Sequence, residues 1–211
     1  MFELKSGFTA QPIPENVREF MKGKTFHPNK RISLDDLSYL RLKYYDFEHN
    51  VQSGEMIVDR KLEREVLEIF SELFDNGYEI EKIRLADYYD GNDDRIMADN
   101  NSSSFNYRVV DGTDTVSMHG YGRAIDINPR INPYIVGEKV MPSNGVQYCD
   151  RKLAFAHKID HNDLCYKVFA SHGWKWGGDW VNTKDYQHFY KEFRMPLKAV
   201  VRKFRRLFKM R

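Results

Sequence analysis

The stretch from Ser38 to Gly77 restricts the fold more than any other part of this 211-residue chain. In SYLRLKYYDF, residues 38–47, Leu40, Leu42 and Tyr44 recur at every second position, the period of a strand with one buried face. After Gly54, Glu55-Met56-Ile57-Val58 reads as a second strand. Asp59 then stands as an N-cap, and Leu62, Val66, Ile69, Phe70, Leu73 and Phe74 fall on one helical stripe before Gly77 ends the run. A helix with one apolar stripe has to cover a sheet. Further along, Glu81–Ala86 and Ala124–Asn128 read as strands, and Asn162 or Asp163 caps a helix through Val168 and Phe169 that ends near Gly173. Two last strands follow, around Trp174–Trp176 and Gln187–Tyr190. Strands and helices mix without regular alternation, which predicts an α+β single domain with a central antiparallel sheet and helices packed on it.

Composition sets the outer limits. With 41% hydrophobic residues the chain can bury one substantial core, and no run approaches the roughly 18 apolar residues of a membrane span. The N-terminus lacks the basic-then-apolar layout of a secretory signal, so the chain is expected to be soluble as given, without fixing its compartment. Cys149 and Cys165 are too few for a disulfide scaffold or a cysteine zinc cluster, and leave open one bridge or two free thiols. Residues 198–211 carry seven Lys or Arg and no acid, which leaves the rest of the chain at −5 against the overall +2. An acidic body with a basic tail lacks the even basicity of a nucleic-acid binder, and none is expected. Residues 1–30, with Pro12, Pro14 and Pro28, read as an extension wrapping the domain, with a short helix from Pro14 to Lys22 burying Val17, Phe20 and Met21. The main domain is expected over 31–196 and the tail over 197–211.

The chemistry concentrates in Ser117–Asn128, SMHGYGRAIDIN. Alternation in the strand half turns Ile125 and Ile127 to a core and Ala124, Asp126 and Asn128 the other way. His119 precedes that strand on a loop whose Gly120 and Gly122 let it fold back over the carboxylate. An imidazole and a carboxylate so placed are two of the three protein ligands of a catalytic zinc site. The third is sought near the C-terminus, where His188 opens an aromatic strand and Asp185 sits three residues earlier. His119, Asp126 and His188 as metal ligands and Asp185 as base would supply hydrolysis.

SMHGYGRAID followed by WGGDW and DYQHF resembles the D-alanyl-D-alanine carboxypeptidase family of zinc peptidases, which includes vancomycin-resistance peptidases and phage endolysins; the similarity is expected from about Ile32 to Tyr190. The resemblance implies one Zn2+ ion on His119, Asp126 and His188 and a catalytic acid at Asp185. Many members have Glu there, so Asp179 stays in reserve. It also implies a substrate-handling Arg108, whose guanidinium can grip a carboxylate or polarise a scissile carbonyl. Ser103 and Phe105, in the same SSSFNYR segment, are expected to line that pocket. Ser117 and Trp180 complete the expected substrate contacts, while Trp174 and Trp176 pack behind the metal. The implied function is hydrolysis of peptidoglycan stem peptides, as a D-Ala-D-Ala carboxypeptidase or an L-Ala-D-Glu endopeptidase, by a monomer in the bacterial envelope or outside the cell. The alternative is a zinc-binding module without turnover that recognises cell-wall peptide or a protein partner. Val200, Phe204, Leu207 and Phe208 form one stripe of the tail, which would lie on an anionic cell-wall polymer or membrane surface, or dock on its own domain.

Two rival metal motifs are set aside. His157 and His161 have the i, i+4 spacing of helical zinc proteases, but Lys158 stands where the base belongs. The run DYYDGNDD, residues 87–94, has four aspartates but not the spacing of a calcium loop, and is expected as a solvated loop.

Overall fold

The alternation in residues 38–47 builds the larger of the sheets. In the computed structural model, which describes residues 1–29, 31–110 and 114–193, β1 (Phe2–Lys5), β2 (Phe8–Pro12), β3 (Leu37–Tyr45) and β4 (Val51–Asp59) lie side by side, each antiparallel to the next. Between β2 and β3 comes α1 (Glu15–Met21), and after β4 comes α2 (Glu63–Asp75). Leu40, Leu42 and Tyr44 pack with Met56 and Val58 and with Val66, Leu67, Ile69, Phe70 and Leu73 of α2. Leu37, Tyr39 and Ile57 belong to a second cluster, with Val17 and Met21 of α1, Leu85 and Phe105. The sheet is therefore covered on both faces at that end. Full burial of each such Leu, Ile or Phe stabilises the fold by roughly 1.5–3 kcal/mol. Asp59 caps as expected, accepting from the Lys61 N–H at 2.9 Å, although a 3-10 turn over Arg60–Leu62 precedes the α-helix.

Residues 2–12 belong to the main sheet and are not a wrapping extension. β1 and β2 form a hairpin that extends the sheet from its β3 edge, and Phe8 and Ala10 are 0% and 1% exposed. Phe2, Leu4, Phe8 and Ala10 are the apolar positions of two short alternating runs on either side of Ser6-Gly7, so the pattern was present but brief. The helix expected near Pro14 is there and buries Val17 and Met21; Phe20 is only half-buried, edge-on to Tyr88 at 5.0 Å.

The rest of the chain is built from shorter pieces: β5 (Lys82–Ile83), α3 (Asp93–Ala98), β6 (Asn101–Ser102), β7 (Ala124–Asp126), β8 (Tyr134–Val136), β9 (Lys139–Met141), α4 (Leu164–Ser171), β10 (Lys175–Trp176), β11 (Lys184–Asp185) and β12 (His188–Tyr190). The expected solvated loop at 87–94 instead leads into α3, because the Asn92 side chain accepts from the Arg95 N–H at 3.0 Å and Ile96 is buried. β5 pairs in parallel with β6. The class is α+β, with an antiparallel main sheet and packed helices, but the expected site does not lie on that sheet. It lies on a separate antiparallel trio in the order β10, β12, β7. A third small sheet, β11, β8 and β9, flanks it and is drawn largely from the long connection after residue 128.

Aromatic stacking ties the site's sheet to the main core. Phe70 of α2 meets Phe169 of α4 edge-on at 6.3 Å, and Phe169 stacks on Phe189 of β12 at 4.3 Å. A single cluster thus runs from Phe8 to Phe189. Cys149 and Cys165 are free thiols. Among the described residues no helix is long and apolar enough to cross a membrane. The basic stripe expected over 197–211 lies outside the described residues.

Candidate metal centre

Alternation along two paired strands puts two of the expected ligands face to face. Phe189 and Ile125 are cross-strand partners turned into the core, at 1% and 0% exposure. One position along, His188 is the partner of Asp126, so both must point to the opposite face. His188 Nδ1 and Asp126 Oδ1 are 2.9 Å apart.

His119 arrives from a 3-10 turn over Met118–Tyr121 that the Ser117 hydroxyl caps by accepting the His119 N–H at 3.3 Å. The turn closes at Gly122, whose φ of +65° favours glycine. An added Cβ there would lie 2.6 Å from the Asp59 nitrogen at the end of β4. This close approach, with Asp59 N–H donating to Gly122 O at 2.8 Å, docks the motif on the main sheet. His119 Nε2 then sits 3.1 Å from His188 Nδ1 and 3.3 Å from Asp126 Oδ2.

The backbone of residues 103–108 forms the wall behind these groups. Ser103 exchanges both backbone hydrogen bonds with Asp126, at 3.2 and 2.9 Å. Phe105 N–H reaches Ile57 O of β4, Asn106 N–H reaches His119 O, and Ser117 N–H reaches Arg108 O. Most telling is Ser104, whose carbonyl lies 2.7 Å from His119 Nδ1. That contact puts the proton on Nδ1 and leaves the Nε2 electron pair facing Asp126 and His188.

Three donor atoms therefore converge, all within 4.8 Å of one another, with little access to water. Burial works against a charged His119, yet the Asp126 carboxylate outweighs it and raises the imidazole's pKa. Burial likewise disfavours an ionised Asp126, but His119 and His188 hold its carboxyl well below the usual carboxylate range. Lone pairs pointed at one another without a cation between them repel. The donor set fits one divalent ion: tetrahedral bonds of roughly 2.0–2.1 Å space ligand atoms roughly 3.3 Å apart, close to the separations found here.

Asp185 stands beside this set. It pairs with Tyr134 across β11 and β8, and its Oδ1 is out of solvent with no hydrogen-bond partner. Burial pushes its carboxyl up to about 6, against the pull of His188 and with the Asp126 charge added. Gln187, between Asp185 and His188, is 2% exposed and also leaves its Oε1 unpartnered. Trp180 flanks His188 with ring centroids 5.5 Å apart and donates from Nε1 to the Tyr190 hydroxyl at 3.2 Å.

The other expected residues are placed as follows. Arg108 forms an ion pair with Asp93 at the start of α3, while its positive charge still works to lower the His119 pKa. Ser103 is 7% exposed and contributes the backbone bridge just described. Phe105 is 3% exposed and belongs to the second core cluster. Asp179 is exposed and engaged by His161 at 2.8 Å, which removes it as a reserve base. His157 has a φ of +60° and stacks on Phe47, so the i, i+4 pair with His161 never forms on a helix. Trp174 and Trp176 are buried in the core, as expected of packing residues. Sequence reasoning passed over Ser104, Gln187 and Tyr190; a backbone carbonyl carries no side-chain signal, and the other two read as ordinary strand residues.

Residues 111–191 match a family model described as D-alanyl-D-alanine carboxypeptidase. The match bears out the resemblance over less than half of the chain, a shorter span than the one expected from Ile32. His119, Asp126, Asp185 and His188 fall inside it, whereas Ser103, Phe105 and Arg108 fall outside. Neither the curated proteins nor the solved structures returned a match.

Proposed function

We propose that this chain is a zinc-dependent peptidase that hydrolyses peptidoglycan stem peptides. The observation that carries the reading is the convergence of His119, Asp126 and His188 beside a carboxylate with an unpartnered, buried oxygen, inside the segment that matches the family model. Zinc held by the three side chains would lower the pKa of water and polarise a carbonyl oxygen.

The chain's own residues do the rest. Asp185 accepts a proton from the attacking water at its free Oδ1 and returns it to the leaving amine. Ser104 and Ser117 orient His119 through its ring and its backbone. Arg108, anchored by Asp93, offsets charge that develops on the scissile carbonyl or grips a substrate carboxylate. Trp180 and Tyr190 shield His188 from bulk water on the outer side. The proposed setting is the bacterial cell envelope or the medium outside it, where stem peptides occur.

A module that holds zinc without turnover would have no use for a buried carboxylate with an unpartnered Oδ1 next to the metal. Digestion of purified stem peptides by the zinc-loaded protein, followed by mass spectrometry, tests the reading. Release of single D-alanine identifies a carboxypeptidase, and cleavage between L-Ala and D-Glu an endopeptidase. Absence of any product from stem peptides and intact sacculi, with zinc bound, overturns the proposal.

A further inference from the structure

We propose that Gly177 is a positioning residue whose missing side chain sets where the Asp185 carboxylate stands relative to the three metal-binding groups. This rests on the reading of Asp185 as proton acceptor. Gly177 follows β10 and opens a 3-10 turn over Gly177–Asp179. Its φ is outside the left-handed region, so the backbone there suits any residue, and only space explains a glycine. A Cβ at this position would lie 2.7 Å from the Asp185 carbonyl oxygen, 2.8 Å from Asp185 Cβ and 3.2 Å from His188 Cβ. None of these is the tip of a flexible side chain that could swing aside.

The two segments are also sewn together on either side of the contact. Trp176 Nε1 donates to Tyr186 O at 2.9 Å, and Lys184 Nζ donates to Gly178 O at 3.0 Å. β12 is fixed between two neighbouring strands, and its Phe189 stacks in the core. Among the described residues β11 pairs with β8 alone, through two residue pairs. A methyl group at 177 therefore displaces β11 first, and the Asp185 carboxylate moves with it. Glycine at 177 holds the acid and His188 against the same point of backbone.

The test compares Gly177→Ala, Gly54→Ala, Asp185→Ala and the Gly177→Ala/Asp185→Ala double variant, each zinc-loaded, for kcat and KM on stem peptides, bound zinc and thermal midpoint. Gly54 is the control for crowding, because a Cβ there would lie 2.6 Å from Ile83 Cβ on the main sheet, away from the site. Gly177→Ala is expected to keep one zinc and lose kcat on the order of 10²-fold with KM little changed, as a misplaced reacting group does. Gly54→Ala is expected to lose stability but not kcat. The double variant is expected to have the kcat of Asp185→Ala alone, since a spacer has nothing to act through once the acid is gone. Wild-type kcat in Gly177→Ala, or losses that multiply in the double variant, overturns the inference. Should Gly177→Ala fail to fold, Lys184→Met, which cuts the tie to Gly178 O without adding bulk, is expected to keep one zinc and lower kcat, and wild-type kcat there overturns the inference. Wild-type activity in Asp185→Ala would instead overturn the assignment of the base.

Discussion

Replacing Asp185 by Asn separates proton transfer from metal binding with the least disturbance to the site. The two side chains match in size, so the close contact with Gly177 is preserved and the three candidate metal ligands keep their places. Asn also relieves the fold of a carboxyl that burial has pushed up to about 6, so stability at neutral pH should not fall. What disappears is the acceptor. Loss of a general base costs roughly 10²–10⁴-fold, or about 2.7–5.5 kcal/mol in activation free energy. The upper part of that range is expected because no nearby group can substitute: two imidazoles keep Asp126 ionised and occupied, and Asp179 is engaged by His161 at the surface. The wild-type pH profile carries the same signature. As the proposed base, Asp185 acts when ionised, so kcat/KM should be full above its pKa and fall about tenfold per pH unit below it. A bound cation moves that limb down from about 6 and never up. The assay is steady-state hydrolysis of a stem peptide between pH 4 and 9, with bound zinc measured on the same samples. Wild-type kcat in zinc-loaded Asp185→Asn, or an acid limb above pH 7 in the wild type, would refute the reasoning.

Two further outcomes concern the frame around the site. Burial pushes the Asp163 carboxyl at the cap of α4 from 3.8 to about 6, so folding takes up a proton between those values and this group's contribution to stability falls as pH rises through that window. Asp163→Asn keeps a cap for the Cys165 N–H and should stabilise by about 1–2 kcal/mol at pH 8 but not at pH 4; equal changes in thermal midpoint at both pH values would contradict this. Phe189→Ala removes a ring that is 1% exposed and stacked on Phe169, and should cost about 3–5 kcal/mol in denaturant unfolding. A loss below about 1 kcal/mol would show that β12 is not held by the core as described.

Strong periodicity made parts of this fold legible in the sequence. β3, β4 and α2 announced themselves because long alternating or helical stripes outweigh local noise, with Asp59 and Gly77 marking the ends of the α2 region, and Asn162 or Asp163 and Gly173 those of α4. The hairpin of β1 and β2 was missed because four apolar positions around one glycine are too few to distinguish a strand pair from an extension. α3 was missed because its acid-rich first turn, Asp93-Asp94, looks like a solvated loop until Asn92 is seen to cap it. The three candidate metal ligands were legible because strand alternation turns Asp126 and His188 to one face and a Gly-rich turn brings His119 back over them. The supports were not. Ser104 acts through its carbonyl and Gly177 through an absent side chain, and a short segment beside the site does not say which of its residues, such as Phe105, turn into the core.

The central claim is that His119, Asp126 and His188 share one divalent cation, and direct metal analysis tests it. After removal of metal and dialysis against zinc, the wild type and Asp185→Asn should each retain one zinc per chain, while His119→Ala, Asp126→Ala and His188→Ala should each lose it. Folded protein that retains no zinc, or a folded His188→Ala variant that binds zinc as tightly as the wild type, would contradict the account.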